Sequence, residues 1–544
     1  MESRQSNPQA VVRGEALFCY SLVAAFVVLG VIGVLHHAMW RDETYTWLRA
    51  RFSSSLRDLY VTARYDVHFM LWDVVLWILT RFTHNCQSMQ WLHLALATCS
   101  VWVLVRFSPF TRVQKALYCF GYFTMFEYCL IARVYVWIGL LLFSLCAVCA
   151  RRKDSFVAQA VILFLLSNIN VLATIIAFSF VAASVLGYIR RGGVGELWAT
   201  RKRALILSGV ILCAALIGDG LQSIKPKDAL AFQGWPRPIT VSNFATALGD
   251  VWRGYVPLPR PFPHLHLPRL IWGSNFLLDS EPQTLALGAT LSLGLLAMSI
   301  WTLRRSPMAV AWYVFGTGLM LLFHVVGPGA AVRHDGLYFI LYLACLWCGL
   351  TWGRDQKPRL SPASLPVRME RFFLPSILAI QVVAGAYAWT LHLMTPFSTS
   401  KLAADFIRQH GYASLLIIGS PEVKVTPVTA YLDRPIYYPD SERYGTFSVE
   451  NSARHSLSTP EVLQSVVQMA MKAHGDTLLV WYGLLTTSDS GSTQPLTSAW
   501  LSLDGSNDSR SGRPTEQRIK ISQLVAFQKV IADEDYSLYL ISQR

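Results

Sequence analysis

Two short segments combine carboxylates with histidine and could carry chemistry. Asp42 and Glu43 follow the first apolar run, and Asp66 and His68 precede the next one. Adjacent carboxylates at the edge of a membrane can deprotonate a hydroxyl, and an Asp/His pair beside them can orient that hydroxyl or bind a cation. The alternatives are a solvated pair of loop charges at Asp42 and Glu43, and a histidine at 68 that only hydrogen-bonds the backbone at a helix end.

The composition places these segments beside a membrane. Of the 544 residues, 53% are hydrophobic and 15% are charged, which is more apolar surface than one water-soluble core of this size requires. The formal net charge is +14. Its basic clusters, such as 151–153, 190–191, 201–203 and 304–305, stand at the ends of apolar runs. That placement is typical of cytoplasmic loops and not of a nucleic-acid-binding face.

Apolar runs of spanning length recur up to residue 394 and predict about ten to twelve transmembrane helices. The run 156–188 is interrupted by Asn168 and Asn170, which predicts two short helices. All the basic loops can lie on the cytoplasmic side only if the short, charged run 66–82 does not cross the membrane. The loop 37–65 conflicts with that topology, because its arginines would place it in the cytoplasm under the positive-inside rule.

The chain divides into two parts. Residues 1–395 are predicted to form a transmembrane domain, with a first extracytoplasmic loop at 37–65 and a loop rich in Pro and Trp at 223–284 that lies on the membrane interface. Residues 396–544 alternate helical and strand patterns and predict a soluble, extracytoplasmic α/β domain. Within that domain, 486–515 is rich in Ser, Gly, Asp and Thr and is expected to be a loop that need not be ordered.

The order and depth of these motifs resemble the GT-C superfamily of integral membrane glycosyltransferases, especially its protein-mannosyltransferase-like and aminoarabinosyltransferase-like branches. An Asp-Glu in the first extracytoplasmic loop, as at Asp42-Glu43, is followed there by a sequence like His-Pro-Pro-Leu-Tyr. This chain departs from that pattern, since Phe69 and Met70 follow His68.

Three further segments carry the resemblance. Arg133 and Tyr135 stand in a stretch that resembles the Ala-Arg-x-Tyr segment of the superfamily. The stretch 168–171 resembles a polar break in a later helix. Arg333 and His334 stand where many relatives carry Arg-Tyr or Arg-His before a late transmembrane helix.

The resemblance implies a polytopic α-helical membrane fold and an inverting transfer of one sugar from a polyprenyl-phosphate carrier to a glycan, lipid or protein acceptor on the outer face of the membrane. By family match Asp42 is the base, and Glu43 holds the acceptor or the loop. The residues expected to bind substrate are Asp66, His68, Arg133, Tyr135, Arg333 and His334. Two of these have plainer alternatives: a structural salt bridge to Glu127 for Arg133, and a simple interfacial charge for Arg333.

No metal and no cofactor is expected, although a divalent cation on Asp42, Glu43, Asp66 and His68 is chemically feasible. The expected partners are a lipid-linked sugar donor, the acceptor and membrane lipids, without nucleic acid. The resemblance to bacterial members of the superfamily implies a multi-pass protein of the bacterial inner membrane, with its tail domain outside the cytoplasm.

Two other classes of protein remain open at this stage. A transporter or flippase would also be polytopic and basic, and acids in the middle of helices, such as Asp73 and Asp219, would favour it. The lack of an obvious internal repeat and the external domain speak against it. A scaffold that has kept the fold and lost the site would look similar, and the intact Asp42-Glu43 argues only weakly against it.

Overall fold

The computed structural model describes residues 8–152, 154–230, 233–260, 272–279, 284–327, 329–352, 365–473, 475–489, 492–502 and 518–543. The helices in these ranges are α1 Pro8–His36, α2 Arg41–Phe52, α3 Leu56–Ala63, α4 Leu71–Leu79, α5 Gln87–Phe107, α6 Arg112–Cys119, α7 Val136–Arg151, α8 Phe156–Ser167, α9 Val171–Arg190, α10 Val194–Ser223, α11 Val241–Tyr255, α12 Thr284–Leu303, α13 Pro307–Val326, α14 Val332–Trp352, α15 Leu365–Met394, α16 Ser400–Gln409, α17 Glu422–Leu432 and α18 Thr459–Ala473.

The chain is an integral membrane protein. In the described residues, eight helices are long and apolar enough to cross a bilayer: α1, α5, α9, α10, α12, α13, α14 and α15. Two shorter apolar helices, α7 and α8, lie between them in the sequence. The expected break of the run 156–188 is confirmed, because α8 ends at Ser167 and the Asn170 side chain caps α9 by accepting from the Ala173 amide.

Contacts between helix ends define two faces of the bundle. The first, called here the site face, joins the end of α1 to the start of α5, where the Gln90 side chain donates to the His37 carbonyl. The opposite, basic face joins the start of α1 to α6 through ion pairs of Glu15 with Arg112 and Lys115. The clusters 190–191 and 304–305 lie at the ends of α9 and α12 on this basic face, and 201–203 lies within α10 at its kink.

The predicted span 116–132 is not one helix. It consists of α6, a π-helical turn at Tyr122–Glu127 and an irregular stretch that ends where α7 begins. The stretch is buried within the protein, so its free backbone groups find partners there and do not face lipid. The Ala132 amide donates to the Glu43 carboxylate at 2.6 Å. The backbone is therefore unwound next to the loop that carries the acidic pair.

The run 66–82 forms only the nine-residue α4. Such a helix is about 13 Å long, less than half of a hydrocarbon core of about 30 Å. It packs along α2, where the Trp77 indole donates to the Ser53 carbonyl. The segment therefore stays on the site face, as the distribution of basic loops required.

The loop 223–284 contains a helix that the sequence analysis missed. Helix α11 packs against α12 and α14, with Ala247, Leu248, Val251 and Tyr255 buried. These apolar residues recur at helical spacing, which was the available signal. Residues 261–271 and 280–283 of the loop lie outside the described residues.

The tail forms a mixed sheet covered by helices. Its strands are β1 Leu416–Ser420, β2 Ile436–Tyr438, β3 Arg443–Gly445, β4 Thr477–Tyr482, β5 Thr486–Asp489, β6 Ser492–Pro495, β7 Ser498–Ser502, β8 Arg518–Phe527 and β9 Tyr536–Gln543. In the described part of the tail, seven strands join in the order β3-β2-β1-β4-β9-β8-β7, with β1 parallel to β2 and β4. The expected α/β character is confirmed.

The segment 486–515 is more ordered than expected. Residues 486–489 and 492–495 pair as a two-stranded sheet, and β7 pairs with β8. The rest of that segment, from 503 on, lies outside the described residues. Thr486, Thr487 and Thr493 lie in the two short strands, and threonine, being β-branched, suits a strand as well as a loop.

The tail packs on the site face with a continuous buried core. The Met39 amide donates to the Tyr431 hydroxyl at 2.8 Å, and the Ser400 hydroxyl donates to the Met39 carbonyl at 2.8 Å. Phe397 lies between the rings of Trp40 and Trp272. The loop after α1 is thus enclosed between the membrane helices and the tail domain.

Candidate active site

Asp42 lies in the first turn of α2, directly after the turn that leaves α1. Its Oδ2 is 3.1 Å from Arg133 Nη1 and 3.1 Å from Arg333 Nη2. Burial raises the pKa of this carboxyl, but the charges of Arg133, Arg333 and Arg41 outweigh that effect, so the pKa lies below its ordinary value. Asp42 is therefore an ionised, hydrogen-bond-accepting group at neutral pH. About a quarter of its side chain, 26%, remains exposed to the cavity.

Glu43 points away from that cavity. It is fully buried and accepts from His37 Nε2 at 2.9 Å, from the Trp40 amide at 3.1 Å and from the Ala132 amide at 2.6 Å. These contacts tie the start of α2 to the unwound stretch before α7. Of the two roles expected for Glu43, the geometry favours holding the loop.

Arg133 and Arg333 share one feature besides their contact with Asp42. The Nε–H of each guanidinium is buried and has no hydrogen-bond partner among the described residues. Such donors are costly to leave unpaired, and they match the oxygens of a phosphate. Arg133 does not pair with Glu127, which instead accepts from the Tyr122 hydroxyl and the Trp272 indole. The expected alternative of an Arg133–Glu127 salt bridge is thus absent from the described contacts.

Asp66 and His68 form the second polar pair. Asp66 Oδ1 lies 2.9 Å from His68 Nδ1, and its Oδ2 lies 2.8 Å from Arg49 Nη1. Burial raises the pKa of Asp66, but Arg49 and His68 outweigh it and hold the pKa well below its usual range. Burial lowers the pKa of His68, so its ring is neutral at neutral pH.

Tyr135 joins His68 to His334. Its hydroxyl lies 2.7 Å from His334 Nε2 and 3.2 Å from His68 Nε2. His334 Nδ1 accepts from the Ala331 amide, so a neutral His334 carries its proton on Nε2 and donates to Tyr135. His68 donates from Nδ1 to Asp66 and accepts at Nε2. The bonds therefore run in one direction, from His334 through Tyr135 and His68 to Asp66.

The departure from the His-Pro-Pro pattern has a structural counterpart. After His68 the chain pairs with the break between α8 and α9: His68 and Asn170 form an antiparallel bridge, and the Phe69 amide donates to the Ile169 carbonyl at 3.0 Å. A proline at 69 would lose that bond because it has no amide hydrogen. The polar break thus holds the returning loop in place.

Two neighbouring cavities meet at His68 and His334. The first has a volume of about 240 Å³ and is lined by acidic, basic and aromatic groups, among them Asp42, Arg133 and Arg333. The second, also about 240 Å³, is mostly apolar and lies among the ends of α9, α10 and α13, with Lys225 at its wall. A polar pocket therefore adjoins an apolar one at the membrane side of the site.

The tail domain supplies one wall of the polar cavity. Val423, Thr426, Ser448 and Glu450 line it opposite Asp42. The tail is also bound directly to the residue before Asp42. Glu534 Oε1 accepts from the Arg41 amide at 2.7 Å, and Arg41 Nη1 lies 2.8 Å from Asp533 Oδ1.

Arg49 and Glu534 of the site were not singled out as functional in the sequence, whereas Lys225, in the loop 223–284, was expected to contact the lipid head group. Arg49 is fully buried and holds Asp66 on one side and Asp73 on the other, 2.6 Å from Asp73 Oδ1. Lys225 donates to the Asp66 carbonyl at 2.7 Å. Arginines in a loop that precedes an acidic, apolar segment were the available signal for Arg49. Glu534 lies far along the chain from Asp42 and gave no local signal.

Asp42, Glu43, Asp66 and His68 do not form a metal-ligand cluster among the described residues. Asp42 faces Arg133 and Arg333, Asp66 faces Arg49, and Glu43 is turned into the core. Each carboxylate is thus already matched by a guanidinium or a backbone donor. The arrangement binds anions more readily than cations.

Comparison with known proteins returned structural relatives alone. No protein-family model and no curated protein sequence matches the chain. Two crystal structures of ArnT from Cupriavidus metallidurans align with it. The structure bound to undecaprenyl phosphate has a TM-score of 0.45 and 12% identity, over 87% of this chain and 96% of ArnT. The apo structure has a TM-score of 0.47 and 13% identity, over 87% and 93%.

Proposed function

We propose that this chain is a GT-C-type glycosyltransferase that moves a sugar from a polyprenyl-phosphate carrier to an acceptor hydroxyl. One observation carries the proposal: the ionised Asp42 carboxylate lies between buried Arg133 and partly buried Arg333, whose buried Nε–H groups have no partner in the described residues. The pocket that holds them adjoins an apolar one. A base, an anion site and a lipid site are therefore adjacent.

The donor phosphate fits between Arg133 and Arg333. Guanidinium groups bind phosphate through paired, charge-assisted hydrogen bonds, and the two free Nε–H donors add to that set. Lys225, at the wall of the apolar cavity, supplies a further positive charge. The first units of the prenyl chain would occupy that apolar cavity. The arginines that contact Asp42 would then turn partly toward the phosphate.

The transfer step follows from this placement. The acceptor hydroxyl oxygen attacks the anomeric carbon of the sugar, and Asp42 Oδ2 takes the hydroxyl proton. The bond from the anomeric carbon to the phosphate oxygen breaks, and its electron pair leaves with the polyprenyl phosphate. Attack from the side opposite the leaving group inverts the configuration. The leaving group is a stable anion, so Arg133 and Arg333 stabilise it without a general acid.

The acceptor would enter from the side of the tail domain. Val423, Thr426 and Ser448 wall the polar cavity there, at the end away from the apolar cavity. Donor and acceptor thus approach Asp42 from different directions. The acceptor can be a glycan, a lipid or a protein on this geometry.

We place the site face outside the cytoplasm. The basic face carries Arg112, Lys115, Arg201 and Arg304, which the positive-inside rule assigns to the cytoplasm. The arginines of the loop 37–65 had argued against this. Arg41 and Arg51 pair with Asp533 and Asp433 of the tail, so this loop lies on the same side as the tail, which the basic clusters from residue 190 onward place outside. By its resemblance we assign the protein to a bacterial inner membrane.

The test is sugar transfer by the purified protein in lipid nanodiscs. Polyprenyl-phosphate sugars extracted from bacterial membranes serve as the donor, and mass spectrometry follows the product. Release of free polyprenyl phosphate together with a glycosylated acceptor supports the proposal. The rival transporter reading predicts movement of the intact lipid-linked sugar across a proteoliposome membrane without release of polyprenyl phosphate. The Asp73 that had favoured transport is paired with Arg49, which removes part of that argument.

A further inference from the structure

A second cluster of polar groups is buried beside Asp42 and its arginines, and one of its members, His324, also lines the apolar cavity. Asp250 of α11, His324 of α13 and Asp335 of α14 are 3%, 5% and 0% exposed. One oxygen or ring nitrogen from each lies within 4.8 Å of the other two. Asp250 Oδ2 is 3.5 Å from His324 Nδ1. Three different helices therefore bring two carboxylates and an imidazole to one point.

Arg253 contacts one oxygen of the Asp250 carboxylate and one oxygen of the Asp335 carboxylate. Its Nη1 is 3.1 Å from Asp335 Oδ2 and 3.4 Å from Asp250 Oδ1. Its Nη2 is 3.8 Å from Asp279 Oδ1. One guanidinium thus faces three carboxylates. If all three carboxylates are ionised, the described groups around Arg253 carry an excess of negative charge, which is costly in a buried position unless a proton or a further cation balances it.

Two atoms of the cluster have no hydrogen-bond partner among the described residues. They are Asp335 Oδ1 and His324 Nε2. The other ring nitrogen of His324 lies 3.1 Å from the Tyr338 hydroxyl. A protonated His324 would balance one charge, but its Nε2–H would then be a buried donor without an acceptor. An ion bound between the side chains would satisfy Asp335 Oδ1, and it would satisfy His324 Nε2 if it binds through that nitrogen.

The packing around the cluster is rigid. Gly254 brings α11 against α14 so closely that a Cβ atom there would collide with the Asp335 carbonyl oxygen. Arg253 can reach Asp335 only because of this approach. Ligands carried by packed helices are held in a fixed geometry, as a metal site requires.

We propose that Asp250, His324 and Asp335 bind a divalent transition metal ion such as Zn²⁺ or Mn²⁺. Two carboxylate oxygens and one imidazole nitrogen form a ligand set that these ions accept, and Arg253 fixes the carboxylates from behind. The ion ties α11, α13 and α14 together just below Arg333 and His334. Its role is to fix the start of α14, and the site stands whether or not the chain transfers sugar.

The experiment uses the full-length protein in nanodiscs, stripped of metal with a chelator and then dialysed against Zn²⁺ or Co²⁺. Zinc content is measured by mass spectrometry, and the Co²⁺ form is measured by its visible absorption, which reports ligand type and geometry. The variants are Asp335→Asn and His324→Gln. The matched control is Asp279→Asn, which removes the same charge near Arg253 but lies outside the three-residue cluster.

We expect the wild type and Asp279→Asn to retain zinc in stoichiometric amount and to unfold at a higher temperature with zinc than without it. Folded Asp335→Asn and His324→Gln should lose both effects, with affinity at least about tenfold weaker. The inference is overturned if the wild type takes up no metal. It is equally overturned if both variants bind zinc and Co²⁺ as the wild type does. If Asp335→Asn fails to fold, the metal content and thermal stability of His324→Gln test the proposal.

Discussion

Asp42 and Glu43 are adjacent in the sequence and point in different directions at the start of α2. Asp42 contacts Arg133 and Arg333 in the polar cavity, whereas Glu43 is fully buried and accepts from the Ala132 amide. Successive residues of an α-helix differ by about 100° around the axis, so one turn directs the two side chains to different surroundings. The two carboxylates therefore have separate roles.

Glu43→Gln tests the structural half of that division. The change places an amide NH₂ beside backbone N–H donors in a buried site, and we expect it to destabilise the folded protein by about 1–3 kcal/mol. Thermal unfolding in nanodiscs measures this. Asp42→Asn serves as the matched control, since it removes a charge at the next position in an open cavity. A greater loss of stability in Asp42→Asn than in Glu43→Gln would contradict the assignment.

Arg133→Lys and Arg333→Lys test the anion site. Lysine keeps the charge but loses the planar fork and the Nε–H donor. The loss of one charge-assisted hydrogen bond of about 1.5–3 kcal/mol predicts that the dissociation constant for polyprenyl phosphate rises about tenfold to a hundredfold. Binding is measured by quenching of intrinsic tryptophan fluorescence. Arg57→Lys on the exposed side of α3 should leave the constant unchanged, and an unchanged constant in both site variants would refute the anion site.

The lowered pKa of Lys225 predicts that the affinity for the polyprenyl-phosphate donor depends on pH. Burial lowers the pKa of this ammonium group to about 8. The group is charged below that pH and neutral above it, so affinity for polyprenyl phosphate should fall as the pH rises through about 8. Lys225→Arg keeps its charge at every pH of the experiment and should remove this fall. Lys227→Arg is the exposed control. A fall that persists in Lys225→Arg assigns the effect to another group.

The raised pKa of Glu534 predicts that the free energy of unfolding depends on pH. Burial raises its pKa from 4.5 to about 8, against the opposing effect of Arg41. The folded chain therefore binds more protons than the unfolded chain between these values. The stability that Glu534 contributes is fully present below about 4.5 and is lost as the pH rises through about 8. We expect Glu534→Gln to lose less stability over that interval than the wild type does, with the exposed Glu442→Gln as the control. Identical pH profiles for wild type and Glu534→Gln would show that Glu534 is not the source.

The residues of the candidate site could be proposed from the sequence because each belongs to a short motif near a helix end. Asp66 and His68 lie in hydrogen-bond contact, and Arg133 and Arg333 converge on Asp42. A motif states which residue types occur and roughly at what depth in the membrane. It does not define how a helix is rotated about its axis. The sequence alone therefore could not show that the Glu43 side chain points into the core.

Other features had no local signal. The π-helical turn at Tyr122–Glu127 and the unwound backbone after it depend on partners far along the chain, such as Glu43 for the Ala132 amide. An apolar run read by itself predicts a straight span. The hydrogen bond from the Arg41 amide to Glu534 likewise joins residues far apart in the chain. Tertiary contacts of this kind decide structure where local propensity favours another answer.

The central claim is that Asp42 accepts the proton of the acceptor, and sugar transfer by Asp42→Asn measures it most directly. Asp58→Asn, in the same loop but outside both cavities, is the matched control. We expect transfer by Asp42→Asn to fall about a hundredfold to ten-thousandfold, which is the usual contribution of a general base. Binding of polyprenyl phosphate should be retained or tighter, because the amide competes less for Arg133 and Arg333. Transfer at the wild-type rate by folded Asp42→Asn would contradict the account.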